Sequence, residues 1–258
     1  MKTVLRPLIL RFDSLPSTNT EAARQASQGA PEGLCVVARE QTEGRGRAGR
    51  SWLSPMDAGL YFSIVLRPVK LAARSWPLLT LMAALAVYDA LLETCKLDAD
   101  IKWPNDILVE ERKLCGILAE TIETEAGRAV VLGIGINLDD RAFPPELKDV
   151  ATSIAALTGN NPDAEALLQS LIRALSRRYE TLQASEGEEK TISDWSQHSS
   201  YAQARHVRVA LAEETFDGFT RGLEPDGALR VETDQGEIRV VRAGDITSLR
   251  ASEEMEER

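Results

Sequence analysis

Between residues 44 and 50 the chain reads Gly44-Arg45-Gly46-Arg47-Ala48-Gly49-Arg50, three arginines and three glycines in seven consecutive positions. So dense a cationic stretch cannot pack as a core element and must lie in a loop. Glycines let the backbone fold back and present its N–H groups, and arginines offer forked donors that match carboxylate or phosphate. The segment is suited to hold an anion. The whole chain, at 258 residues, carries a net charge of −10. That excludes a general nucleic-acid binder, which needs a basic surface, and points to a small anionic ligand held locally.

The loop matches G-x-G-x-x-G, the dinucleotide fingerprint, and follows a β-favouring run, Leu34 to Ala38. That fingerprint needs a helix opening directly behind it, so that its N-terminus meets a pyrophosphate. Here Ser51-Trp52-Leu53-Ser54-Pro55 and a second apolar run follow instead. A Rossmann site is therefore not expected, and without G-K-[ST] neither is a Walker loop. The bland reading of the segment is a solvated surface loop.

Apolar runs at Gly59–Leu66, 101–103, 107–109, 114–119 and 130–136 read as strands. Pro77 opens a helix from Leu78 to about Lys96 that is apolar nearly all round, hence buried. Ala164 to Leu182 is an amphipathic helix striped by Leu167, Leu168, Leu171, Leu175 and Tyr179, and Ser185 to Lys190 a charged loop before a short helix. From His206 apolar residues alternate, with turns expected at Asp217-Gly218, Asp226-Gly227 and Gln235-Gly236. This gives a small all-β unit, and we expect domains at 1–203 and 204–258. Cys35, Cys95 and Cys115 show no paired spacing, and Leu8-Ile9-Leu10 is too short for a signal-peptide core, so a reducing, cytoplasmic setting is expected.

Other strings carry chemistry. Lys102-Trp103-Pro104-Asn105-Asp106 contains a turn that accounts for Pro104 and Asn105 but not for Lys102 and Trp103. Lys113 closes the polar hairpin tip Glu110-Glu111-Arg112-Lys113 and taken singly reads as a solvated lysine. Ser17-Thr18-Asn19-Thr20-Glu21 precedes an Ala-rich helix, where a Thr18–Glu21 capping box would explain two residues, although the cluster also suits a polar ligand head. In Gly133-Ile134-Gly135-Ile136-Asn137 the glycines suggest close approach by a ligand or another backbone. His198 and His206 receive no chemistry.

In this order, Ser17-Thr18-Asn19, Gln41, the Gly44–Trp52 segment, Lys102 to Asp106, Lys113 to Leu118 and Gly133 to Asn137 resemble the biotin–protein ligases. The likeness spans residues 10 to 140, and the β tail is similar to that family's C-terminal domain. It implies an α+β fold: a central mixed sheet flanked by helices, class II synthetase-like, with a small SH3-like β-barrel. It implies ATP and biotin as substrates with Mg2+, biotinyl-5′-AMP as intermediate, and transfer to a lysine of a biotin carboxyl carrier protein. By motif, Lys113, Arg47 and Lys102 would be catalytic. Ser17, Thr18, Asn19, Gln41, Gly44, Arg45, Gly46, Arg47, Lys113 and Gly116 would bind biotin. Arg47, Arg50, Trp52, Asn105, Asp106, Lys113 and Asn137 would bind the nucleotide, with Asp106 at the magnesium.

Relatives often carry an arginine where Ala48 stands, so this loop is slightly less cationic. Some relatives add an N-terminal DNA-binding domain. Only about ten residues precede the matching pattern here, so no DNA binding and no membrane association are expected, and the protein would be a monomer or homodimer. The rivals are a lipoate or octanoate ligase and a non-catalytic biotin- or nucleotide-sensing module.

Overall fold

The structure is a computed structural model and describes residues 5, 7–242 and 244–248. The sequence readings of residues 1–4 and 6, and of the second unit beyond residue 248, lie outside them.

A seven-stranded sheet carries the first unit. Its strands are β1 (Leu8–Leu15), β2 (Leu34–Gln41), β3 (Gly59–Leu66), β4 (Asp100–Lys102), β5 (Asp106–Val109), β6 (Arg112–Thr124) and β7 (Gly127–Asn137), in the spatial order β1-β2-β3-β7-β6-β5-β4. β1 and β2 run parallel and every other pair is antiparallel, so the sheet is mixed. Helix α1 (Thr18–Ser27) covers one face through Ala22 and Ala26, whose small side chains let it lie close to Val36, Val65 and Val131. On the other face lie α2 (Leu78–Cys95), α4 (Ala164–Leu182) and α5 (Gly187–Gln197), with the one-turn α3 (Ile154–Thr158) joining from the loop after β7.

α2 is apolar on all sides because it is sandwiched between the sheet and α4 and α5. Its length and composition would also suit a membrane span, but most of it is buried in this core. Leu92, near its C-terminal end, is exposed, an exception to the expectation that the helix is buried nearly all round.

The second sheet is antiparallel: β8 (Gln203–Ala210), β9 (Thr215–Leu223), β10 (Leu229–Thr233), β11 (Ile238–Val241) and β12 (Asp245–Ser248), in the order β11-β10-β9-β8-β12. It leans on the first unit where Gly227, at φ +84°, packs against Leu78 and Leu81 and its carbonyl accepts the buried Trp103 Nε1–H at 3.0 Å.

Four expectations need correction. β1 was not anticipated, because its exposed Leu8 and its polar Arg11, Asp13 and Ser14 break any apolar run. Asp217-Gly218 is not a turn; both residues lie inside β9. Gly218 is there because a Cβ would sit 2.4 Å from the Glu232 carbonyl. The charged loop at 185–190 is already helical from Gly187. The capping box does not form: Ser17 is the N-cap and its side chain caps nothing. Thr18 turns instead to Gln41, and Glu21 pairs with Arg24 and Gln25.

Candidate active site

The arginine–glycine loop folds as a small hairpin over the sheet. Gly46 N–H donates to the Arg50 carbonyl at 2.6 Å and Trp52 N–H to the Gly44 carbonyl at 2.8 Å. Gly44 is required there, since a Cβ would lie 2.3 Å from the Trp52 carbonyl. A short 3₁₀ turn over Arg47–Gly49 forms its tip, and irregular chain with a turn at Met56-Asp57 leads into β3 with no helix directly behind the loop, which bears out the exclusion of a Rossmann site. Ala48 holds a left-handed conformation, is exposed and lies off the cavity lining.

Beneath the loop lies a cavity whose floor is a continuous polar chain. Gln41 Oε1 accepts from Thr18 N–H at 2.8 Å and from the Thr18 hydroxyl at 3.0 Å, while Gln41 Nε2 donates to Ser54 Oγ at 2.9 Å. Ser63, fully buried on β3, lies within hydrogen-bond distance of Thr18 Oγ1 at 2.7 Å and Asn19 Oδ1 at 2.6 Å. Asn19 Nδ2 in turn donates to the Leu118 carbonyl and to Glu120 Oε2. Gly133 faces Ser63 across β3 and β7, and its missing Cβ is the space that the Asn19 amide fills.

At the other end of the cavity the groups are cationic. Lys113 Nζ lies 2.7 Å from Asp106 Oδ1 and 5.3 Å from the centre of the Trp52 ring. The Lys113–Asp106 contact has ion-pair distance without hydrogen-bond alignment, so Asp106 Oδ1 is buried without a hydrogen-bond partner. Arg47 Nη1 donates to Asn105 Oδ1 at 3.2 Å, and Asn105 Nδ2 donates to the Ile117 carbonyl at 2.8 Å. Burial lowers the Arg47 pKa, with Arg50 acting in the same sense and Asp245 and Asp106 opposing; a guanidinium stays charged regardless.

Lys113 is thus the second residue of β6 and faces the site. The hairpin tip is Glu110-Glu111, both at positive φ. Trp52 stands on the two glycines of neighbouring strands. A Cβ on Gly116 would lie 2.9 Å from its ring and one on Gly135 2.6 Å from Nε1. The close approach expected at Gly133 and Gly135 is therefore made by the side chains of Asn19 and Trp52, not by backbone. The Trp52 Nε1–H is buried and has no partner.

Ser17, Thr18, Asn19, Gln41, Arg45, Gly46, Arg47, Arg50, Trp52, Asn105, Lys113 and Gly116 all line this cavity. Gly44 braces the loop from behind. Lys102, on β4 and paired in register with Asp106, lies off the cavity lining with its ammonium 5.9 Å from the centre of the Tyr201 ring; burial lowers its pKa, with Lys113 and Arg50 acting in the same sense and Asp106 and Asp245 opposing. Asn137 reaches a second, apolar hollow on the far side of Trp52, walled by Phe143, Leu147 and Val150. Its amide is spent on the Lys113 and Thr152 carbonyls, at 3.4 and 2.9 Å. From the second sheet, Asp245 pairs with Arg50 at 2.9 Å. Sequence reasoning missed Ser54, Ser63, Glu120 and Asp245; Ser63 alone left a signal, as the lone polar residue in the apolar run Leu60–Leu66.

Residues 11–137 match the family described as "Biotin/lipoate A/B protein ligase family", and residues 205–247 match "Biotin protein ligase C terminal domain". The chain is 37% identical over 243 residues to the bifunctional ligase/repressor BirA of Bacillus subtilis, spanning 92% of this chain and 73% of that one. The chain belongs to the biotin protein ligase family. Within that family it is 34% identical to the biotin–[acetyl-CoA-carboxylase] ligase of Mycobacterium tuberculosis, over 91% of this chain and 86% of the other. Among solved structures it is similar to the Aquifex aeolicus biotin protein ligase in complex with biotin and ATP. The TM-score is 0.80 and the identity 30%, over 94% and 99% of the two chains. The mixed sheet with a C-terminal antiparallel sheet is thus the biotin protein ligase architecture.

Proposed function

We propose that this protein is an ATP-dependent biotin–protein ligase, which converts biotin and ATP to biotinyl-5′-AMP and pyrophosphate and passes the biotinyl group to a lysine of a biotin carboxyl carrier protein. The observation that carries this reading is the two-ended cavity. A buried chain of neutral donors and acceptors, Thr18, Gln41, Ser63 and Asn19, runs into a cationic end formed by Arg47 and Lys113. A urea ring bonds such a floor through its N–H and C=O groups, while a carboxylate is drawn to the cations. The apolar hollow beyond Trp52 suits a nucleobase.

In the first step a biotin carboxylate oxygen attacks the α-phosphorus, and the bond to the β-phosphate oxygen breaks to release pyrophosphate. Two anions must meet, so Lys113 and Arg47 offset their repulsion and the charge developing on the phosphoryl oxygens. In the second step the carrier lysine's amine attacks the acyl carbon, loses a proton, and AMP leaves. The loop shields the mixed anhydride from water between the steps.

For magnesium, Asp106 Oδ1 is a buried carboxylate oxygen without a hydrogen bond, and among the described residues no group of three or more His, Cys, Asp or Glu could hold a metal. A single carboxylate fits Mg2+ when the polyphosphate and water supply its other ligands. Asp106 would then hold the ion, which neutralises phosphate charge. Asn137 acts through its bonds to the Lys113 and Thr152 carbonyls, and the two domains part near residue 203, where β8 begins.

Pyrophosphate exchange into ATP tests the reading. It should depend on biotin, and exchange that proceeds without biotin, or responds to lipoate instead, would overturn it. A dithiolane leaves the polar floor unmatched, which disfavours the lipoate alternative.

Lys102 would serve the ATP phosphates beside Lys113 and Arg50, and its ammonium gives a pH signature. Burial lowers its pKa below the ordinary lysine value of about 10.4. A cation whose pKa is depressed loses its charge as pH rises through that lowered value. kcat/KM for ATP should therefore fall on the alkaline side before an ordinary lysine titrates. Lys102→Arg should carry the plateau to higher pH; superimposable profiles would remove Lys102 from phosphate binding.

A further inference from the structure

The ion pair that holds the first arginine of the loop belongs to the same hydrogen-bond chain as the cavity floor. Arg45 Nη2 lies 2.7 Å from Glu120 Oε2, and that same oxygen accepts from Asn19 Nδ2 at 2.8 Å. From Asn19 the chain continues through Ser63 to Thr18 and through Gln41 to Ser54. The Ser54 hydroxyl donates to the Trp52 carbonyl at 3.1 Å, at the far end of the loop. Both ends of the loop are thus fastened to one polar chain that crosses the floor of the cavity.

We infer that Glu120 is a positioning residue that couples occupancy of the polar floor to closure of the arginine loop, by sharing one carboxylate oxygen between Asn19 and Arg45. The inference rests on the biotin ligase reading and deepens it. Asn19, already fixed by Ser63 and the Leu118 carbonyl, holds Glu120, Glu120 holds Arg45, and a ligand ring bonded to the same floor adds to that fastening. The Arg45 and Glu120 side chains remain 44% and 31% exposed. A pair so open to solvent contributes little to stability and breaks readily. A latch that must release product at every turnover needs that weakness. A purely structural role fits poorly, because the pair joins the loop to a stretch of β6 that β7 already anchors from Cys115 to Thr124.

The test uses the full chain with biotin and ATP, and compares wild type with Glu120→Ala, Glu120→Gln, Arg45→Ala and the Glu120→Ala/Arg45→Ala double variant. Two quantities are read: the KM for biotin in pyrophosphate exchange, and the rate at which preformed biotinyl-AMP escapes to solution. Glu120→Ala should release the adenylate roughly tenfold faster, the size expected when a supporting group is removed from a residue that contacts ligand. Glu120→Gln keeps an acceptor for Asn19 and should retain the wild-type KM for biotin, yet lose adenylate retention because the charge on Arg45 is unpaired. In the Arg45→Ala background, Glu120→Ala should add nothing to the escape rate. Unchanged retention in Glu120→Gln, or escape effects that multiply in the double variant, would overturn the inference. Should Glu120→Ala not fold, the split shown by Glu120→Gln decides alone. A wild-type enzyme without biotin-dependent exchange would instead sink the functional reading itself.

Discussion

Replacing Lys113 by alanine should lower biotin-dependent pyrophosphate exchange by about 10³-fold, the cost of removing one preorganised charge from a developing oxyanion (about 4 kcal/mol). The side chain stands between Trp52 and Asp106 and lines both the cavity and the apolar hollow, where the proposed reaction would bring the two anions together. The fold should hardly respond. The backbone of Lys113 is fixed independently, its N–H bonded to the Val150 carbonyl and its own carbonyl accepting from Thr152 N–H. Partly exposed ion pairs contribute about 1 kcal/mol or less, which for a chain of this size moves Tm by about 2–4 °C. Exchange in Lys113→Ala within tenfold of wild type, at an unchanged fold, would exclude the lysine from the chemistry. Lys113→Arg should recover only part of the activity, because a planar fork does not reproduce a compact ammonium.

Gly133→Ala should be almost as damaging, through geometry. A Cβ at that position would fall 2.1 Å from Asn19 Oδ1 and 2.8 Å from its Cγ. Elsewhere an amide might swing aside, but this one is buried and tied to Ser63, Leu118 and Glu120. Its displacement breaks these bonds at about 1–3 kcal/mol for each buried partner left unsatisfied. The KM for biotin should rise by about 10²-fold, equivalent to about 2.7 kcal/mol, with a smaller change in the KM for ATP. Titration calorimetry with biotin alone checks this, since the hollow proposed for the nucleobase lies across Trp52. Biotin affinity within threefold of wild type would show that Asn19 is free to move and that the floor is not preorganised.

Much of the fold was legible because it is written in local pattern. The run Gly59 to Leu66 became β3 and the stripe from Ala164 to Leu182 became α4, each at the bounds read from sequence. Elements whose identity depends on a distant neighbour were not legible. β1 is a strand because β2 pairs with it in register, despite its mixed polarity. Asp217-Gly218 is extended because β10 passes close by, although the dipeptide favours a turn. Thr18 and Glu21 spell a capping box, yet Gln41, 23 residues further on, offers Thr18 a partner for both its N–H and its hydroxyl.

The candidate site divides the same way. The arginine loop, Lys113 and the ordered motifs were visible because each is an unusual string. Glu120 was not, since a glutamate on a strand has an ordinary explanation when seen singly, and the signal at Ser63, a polar residue in an apolar run, names no partner. By itself, the sequence determined that a cationic, glycine-rich loop follows a strand without a helix behind it. It also determined, through the order of its motifs, which family that loop belongs to. Only the tertiary structure decided what the loop's arginines are fastened to: Glu120 for Arg45, Asn105 for Arg47 and Asp245 for Arg50. Composition and spacing encode propensities that act over a few residues. Hydrogen-bond partners 13 to 195 positions away are chosen by which strands lie side by side.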